Sequence, residues 1–163
     1  MKNLAANLYL TLALLLGSIG TSWGNNFLKG LNAYHSGDFA TALSEWKPLA
    51  EQGHSPSQYN LGFMYYKGEG VPQDYETAVK WYTLAAERGD SNAQNNLGVM
   101  FANGQGVPED FIYAHMWFSI SALNGNAKGR KSREIIDKQM LAAQIGIATE
   151  LGQKCARNQY KDY

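Results

Sequence analysis

The chain has 163 residues, and its 14 lysines and arginines are matched by 14 aspartates and glutamates. An apolar share of 45% excludes intrinsic disorder, and the balanced charge leaves no basic stripe of the kind nucleic acid requires. The length suits one compact domain or a short array with a shared core, and ten tyrosines and four tryptophans supply the buried area a thin array needs.

Met1-Lys2 makes a short positive start, and the stretch from Leu4 to Leu16 is apolar except for Asn7 and Thr11. Mostly small or polar residues follow as far as Gly24. Spanning a membrane takes roughly 20 apolar residues. This run is shorter, so residues 1–24 are predicted to form a cleavable signal peptide. Ser22 and Gly24 place the cut after Gly24, with a cut after Ser22 as the alternative and an uncleaved anchor as the competing reading. No cysteine lies near the cut, which argues against a lipid-anchored product. The mature domain, residues 25–163, is expected to be periplasmic or secreted, without stable membrane insertion.

Two short helices open that domain, Phe27–Tyr34 and Phe39–Gln52, separated by His35-Ser36-Gly37-Asp38. Beyond them the sequence repeats with a period of 36 residues. Gln58-Tyr59-Asn60-Leu61-Gly62-Phe63-Met64 aligns with Gln94-Asn95-Asn96-Leu97-Gly98-Val99-Met100. Gly68, Gly70, Val71, Pro72 and Asp74 align with Gly104, Gly106, Val107, Pro108 and Asp110. Phe39, Tyr75 and Phe111 share one position, Ala42, Ala78 and Ala114 another, and Gly53, Gly89 and Gly125 close the units.

Each unit reads as a helix pair. Ser55 with Gln58, and Ser91 with Gln94, have the spacing of a capping box, and Pro56 fits the first helical position. The first helix ends near Tyr66 or Ala102 at a glycine-proline loop, after which Asp74 or Asp110 is placed to cap the second. Tyr75, Ala78, Val79, Tyr82 and Ala86 then recur at helical spacing. Glycine inside a helix costs on the order of 1 kcal/mol against alanine. Gly62 and Gly98 therefore predict close approach of a partner helix. The Gly68–Gly70 loop is turn chemistry rather than a phosphate cradle, because no lysine-serine or lysine-threonine pair follows it and no strand precedes it.

The helix pairs cover about 27–53, 55–89 and 91–125. Past Gly125 the leucine-glycine motif is absent. Asn126–Lys138 and Leu141–Arg157 read instead as capping helices within 126–160, with Ile135, Ile136, Ile145, Ala148 and Leu151 covering the open end.

The motif running from Ser57 to Tyr82 and again from Ala93 to Phe118 closes on the aromatic pairs Trp81-Tyr82 and Trp117-Phe118. It resembles that of Sel-one-like repeat proteins, relatives of the tetratricopeptide solenoids with a longer loop, over roughly Phe27 to Tyr160. The resemblance implies an all-α fold, a short right-handed α-solenoid of antiparallel helix pairs with C-terminal capping helices. The opening pair, with its four-residue link, is closer to a tetratricopeptide unit.

Catalytic and metal-binding patterns are not found. His35, His54 and His115 have no metal-ligand spacing, so no metal or cofactor is expected, and all three are read as structural. His54 stands beside a helix-ending glycine, where a cation is favourable. Serines occur as caps, with no nucleophile elbow. Cys155, alone in the chain, is read as a half-buried structural thiol rather than an intermolecular bridge.

Tetratricopeptide grooves imply that the first helix of each pair lines the inner face. The stripes there are Phe27, Leu31, Tyr34 and His35; then Tyr59, Phe63, Tyr66 and Lys67; then Asn95, Val99, Ala102 and Asn103. Packing positions repeat from unit to unit, whereas these differ, as recognition requires. Tyr59, Phe63 and Tyr66 are the expected anchors for a protein or peptide segment, with Lys67 and Asn103 as polar contacts. The competing reading has these rings covering the capping helices. The expected function is an exported protein-interaction adaptor; an envelope hydrolase or penicillin-binding protein is the alternative, and glycan stacking a third possibility.

Overall fold

The structure, a computed structural model, describes residues 23–158. Most of the predicted signal peptide and residues 159–160 of the predicted capping region lie outside the described residues. Within them all regular structure is helical. α1 covers residues 23–35, followed by α2 (Phe39–Glu51), α3 (Ser55–Lys67), α4 (Tyr75–Ala86), α5 (Ser91–Asn103) and α6 (Phe111–Leu123). α7 (Ala127–Ile136) runs into a 3₁₀ turn at Asp137–Gln139, and α8 (Ala142–Arg157) closes the array. No helix among the described residues is long and apolar enough to cross a membrane.

Short polar side chains start the helices. Asp74 accepts from the Thr77 N–H at 3.0 Å, and Asp110 from Ile112 and Tyr113 at 2.8 and 3.0 Å, as expected. The capping boxes do not form. His54 and Asp90 are the residues before α3 and α5, and Asp90 supplies the cap by accepting from Asn92 and Ala93. Pro56 falls one place later than expected, at the second helical position. The glutamines instead reach back to the previous unit. Gln58 Nε2 donates to the Ala50 carbonyl at 2.9 Å, and Gln94 Nε2 to Ala86 at 3.0 Å. Each of those carbonyls, at the ends of α2 and α4, already accepts the N–H of Gly53 or Gly89 at 2.9 Å, and the glutamine occupies its remaining lone pair in a buried setting closed to water.

Successive hairpins stack in chain order, and glycine makes the contact close. A Cβ on Gly62 would lie 2.6 Å from the Tyr82 ring, and one on Gly98 would lie 2.5 Å from Phe118. Gly30 stands against Trp46 in the same way. Trp46, Tyr82 and Phe118 are themselves 36 residues apart, so the opening pair obeys the same packing rule despite its shorter link. The loops interlock too: Gly70, with φ at 74°, packs on Phe39 at the start of α2, and Gly106 on Tyr75 at the start of α4.

The closing helices depart from expectation in detail. Ile136 and Ala148 are buried, but Ile135 is 51% exposed and covers no core. Cys155 is fully rather than half buried, beneath α6 with Met116 and Ile120, which places its thiol out of reach of a second chain.

Candidate binding groove

Three depressions run in a row between successive first helices. Leu31, Tyr34, His35, Tyr59 and Phe63 line one of about 190 Å³ between α1 and α3, floored by Trp46. Phe63, Tyr66, Lys67, Asn96 and Val99 line the next, about 160 Å³, floored by Tyr82. Val99, Ala102, Asn103, Ser132, Ile135 and Gln139 line the third, about 230 Å³, floored by Phe118. Phe63 is a wall of the first two and Val99 of the last two, so the row is continuous. Its floors are the rings that cover the helix glycines, so one packing device both stacks the units and shapes the surface.

The predicted residues mostly converge here. Phe27 packs on Trp46 and His54, with centroids 6.3 and 5.0 Å apart, at the outer end of the row. Tyr34 is half-buried, and its hydroxyl donates to Glu69 on the α3–α4 loop. Burial, with that carboxylate second, pushes its pKa well up and keeps it a neutral donor. Tyr59 lies 5.8 Å from Tyr82 and Tyr66 5.5 Å from Tyr75, so these rings rest on the second helix of their own unit and not on the capping helices. The Lys67 ammonium is exposed and sits 5.8 Å from the centroids of both Phe63 and Tyr66. Asn103 is exposed, its amide donating to the Val99 carbonyl at 2.9 Å.

Asn95 leaves the set. It is 8% exposed and accepts from the Ser132 hydroxyl at 3.3 Å, because α7 lies across α5 at that point. Ile135 takes its place as a surface residue that sequence reasoning assigned to the core.

Two histidines have definite structural duties. His54 is half-buried between Trp23 and Phe27, with Nδ1 2.8 Å from the Ser57 hydroxyl. Burial lowers its pKa, which overturns the expectation of a cation there. His115 is 4% exposed; its Nε2 lies 2.9 Å from Asp137 Oδ1 and its Nδ1 3.4 Å from the Ser119 hydroxyl. Burial lowers its pKa, opposed by Asp137 and reinforced by Arg133. The three groups line a cavity of about 370 Å³ between α6 and the capping helices. Serine, histidine and aspartate in line resemble a hydrolytic relay, but Ser119 lies inside α6, where the neighbouring N–H groups are committed to the helix. An oxyanion has no backbone donors there. The arrangement ties α6 to the 3₁₀ turn. No group of three or more His, Cys, Asp or Glu side chains suited to a metal ion occurs among the described residues.

Residues 55–90 and 91–126 match the Sel1 repeat family, one repeat each. The chain carries two Sel1 repeats. Its matched units begin at α3 and α5, in the register read from the 36-residue period. The fold is similar to that of c5321, described as a protective antigen present in uropathogenic Escherichia coli strains displaying an SLR fold, at 28% identity and a TM-score of 0.79. That match covers 85% of this chain and 31% of the other. A Sel1 repeat protein from Oxalobacter formigenes matches at 30% identity and a TM-score of 0.63, over 66% of this chain and 44% of that one. This chain thus spans less than half the length of either. No curated protein matches significantly. Sel1 repeats generally mediate protein–protein interaction, and both matched units contribute walls to the groove.

Proposed function

We propose that this chain is an exported, non-catalytic adaptor that holds a segment of a partner protein along the first-helix face. The observation that carries the reading is the unbroken row of three depressions, sharing Phe63 and Val99 as common walls. A row of this kind suits an extended chain better than a compact metabolite, because successive side chains of the guest meet successive units. Phe27, Leu31, Tyr34, Tyr59, Phe63 and Tyr66 offer the apolar anchors, with Lys67, Val99, Asn103 and Ile135 beyond them. Aromatic anchors dominate such energetics. Similarity to a protective antigen supports an envelope or extracellular setting, as does the apolar leader.

The rings also carry the fold, so truncating Tyr59 and Phe63 together is expected to lower stability as well as binding. A cleaner test uses exposed positions. A photo-crosslinking residue at Asn103, on the groove, is expected to capture a partner in intact cells, while one at Lys80, on α4 away from it, captures none. Capture at Lys80 and not at Asn103 refutes the assignment.

A further inference from the structure

Charge indicates what kind of segment the groove takes. The first helices α1, α3, α5 and α7 carry six cationic side chains and one carboxylate, Glu134. The remaining described residues hold twelve carboxylates and six cations, so the balance reverses off this face. No carboxylate lines any of the three depressions. Of the carboxylates nearby, Glu69 accepts from Tyr34 and Asp90 caps α5, while Glu134 stands exposed on α7 next to Ile135 among four cations of the same helix. Lys29 is paired with Glu45 at 2.5 Å, and Arg133 faces the cavity beside Asp137. That leaves Lys67, Lys128, Arg130 and Lys131 exposed, three of them on α7. Lys131 stands one turn before Ile135, which lines the third depression.

On the groove reading above, we propose that the bound segment is an acidic peptide. An apolar side chain enters the aromatic depression between α1 and α3, and carboxylates downstream meet Lys67 and then the α7 cations. Directly packed helices lie about 9 Å apart, so crossing from α1 to α7 over these depressions takes at least roughly 27 Å, or about eight or more extended residues. Long-range attraction of this kind speeds association and selects partners more than it deepens affinity, and salt weakens it.

The test uses fluorescein-labelled ten-residue peptides with one phenylalanine near the start and four glutamates after it, read by anisotropy on the mature full chain. The expected result is binding that falls about tenfold when the glutamates become glutamines, and about tenfold again in the Lys67→Glu, Lys131→Glu double variant. Lys80→Glu with Lys154→Glu is the matched control, expected to leave binding unchanged. Equal binding of the glutamine peptide overturns the proposal, as does indifference to the groove substitutions or absence of binding by either peptide. If Asn103 still captures a partner in those cases, the groove stands and only its acidic preference is lost. A thymidine oligonucleotide that competes as well as the peptide also overturns it, by making the face a general polyanion site.

Discussion

Replacing Gly62 by alanine tests the stacking rule directly. The new Cβ would meet the Tyr82 ring at 2.6, 2.8 and 3.1 Å, where ordinary contact begins at 3.4 Å. Tyr82 is fully buried, with Tyr59 packed beside it at 5.8 Å, and the ring can yield only toward the second depression, whose floor it forms. Overpacking of this kind costs about 1–3 kcal/mol, and the upper half of that range fits a rigid ring hit at three atoms. Alanine returns about 1 kcal/mol through helix propensity. The net expectation is a loss of about 1–2 kcal/mol. Gly146, inside α8, has nothing within 4 Å of its added Cβ. The same substitution there should raise stability by about 1 kcal/mol. Urea denaturation followed by far-UV circular dichroism compares the two, and Gly62→Ala in a Tyr82→Leu background should recover much of the loss. If Gly62→Ala stabilises as Gly146→Ala does, the close approach of α3 and α4 is wrong.

Gln94→Ala should cost roughly 1–3 kcal/mol by denaturant melting, and more than Gln58→Ala. The Gln94 side chain both donates to Ala86 and accepts from Asn124, whereas Gln58 Oε1 has no such partner. Equal losses would show that the second bond contributes nothing. Below pH about 6.5, the unfolded chain binds protons that His54 and His115 resist in the fold, since burial lowers both. Their contribution is therefore complete above that pH and is lost as the pH falls through the lowered folded values. A melting temperature that drops between about pH 7 and about pH 5, and does so less in a His54→Gln, His115→Gln variant, is the expected outcome. A profile unchanged by the substitutions would remove the assignment. Finally, Trp23 donates to Gln52 at 3.3 Å and packs on His54 at 5.8 Å, contacts that cleavage after Gly24 would delete. Intact mass of the exported protein should show a chain beginning at Trp23; one beginning at Asn25 sinks that reading.

Much of this fold is written locally. Asp74 and Asp110 cap helices wherever they stand, and Gly62 and Gly98 signal an approaching ring because an unsupported glycine would weaken the helix. The Gly30–Trp46 contact carried the same signal, since Trp46 lies one period before Tyr82, but the four-residue difference in the link hid the alignment of the two glycines. Gln58 and Gln94 misled for a different reason. Serine three residues before glutamine satisfies a local rule, and only the stacked neighbour shows that α2 and α4 end in carbonyls that take the glutamine instead.

The groove was less legible because burial across units is decided by the next hairpin. Asn95 shares a helical stripe with Val99 and Asn103, yet the crossing of α7 seals it through Ser132 while releasing Ile135 to the surface. A stripe on one helix fixes which residues share a face; how much of that face stays open depends on where the following helix crosses it. The charge distribution escapes this difficulty. Cations cost too much to bury unpaired, so those on α3 and α7 remain on the surface whichever way the hairpins settle. Stacking explains many of the carboxylates elsewhere, since Asp38, Asp74, Asp90 and Asp110 cap helices, but it does not require Lys67, Lys128, Arg130 and Lys131 to stand exposed on α3 and α7, where an acidic guest would use them.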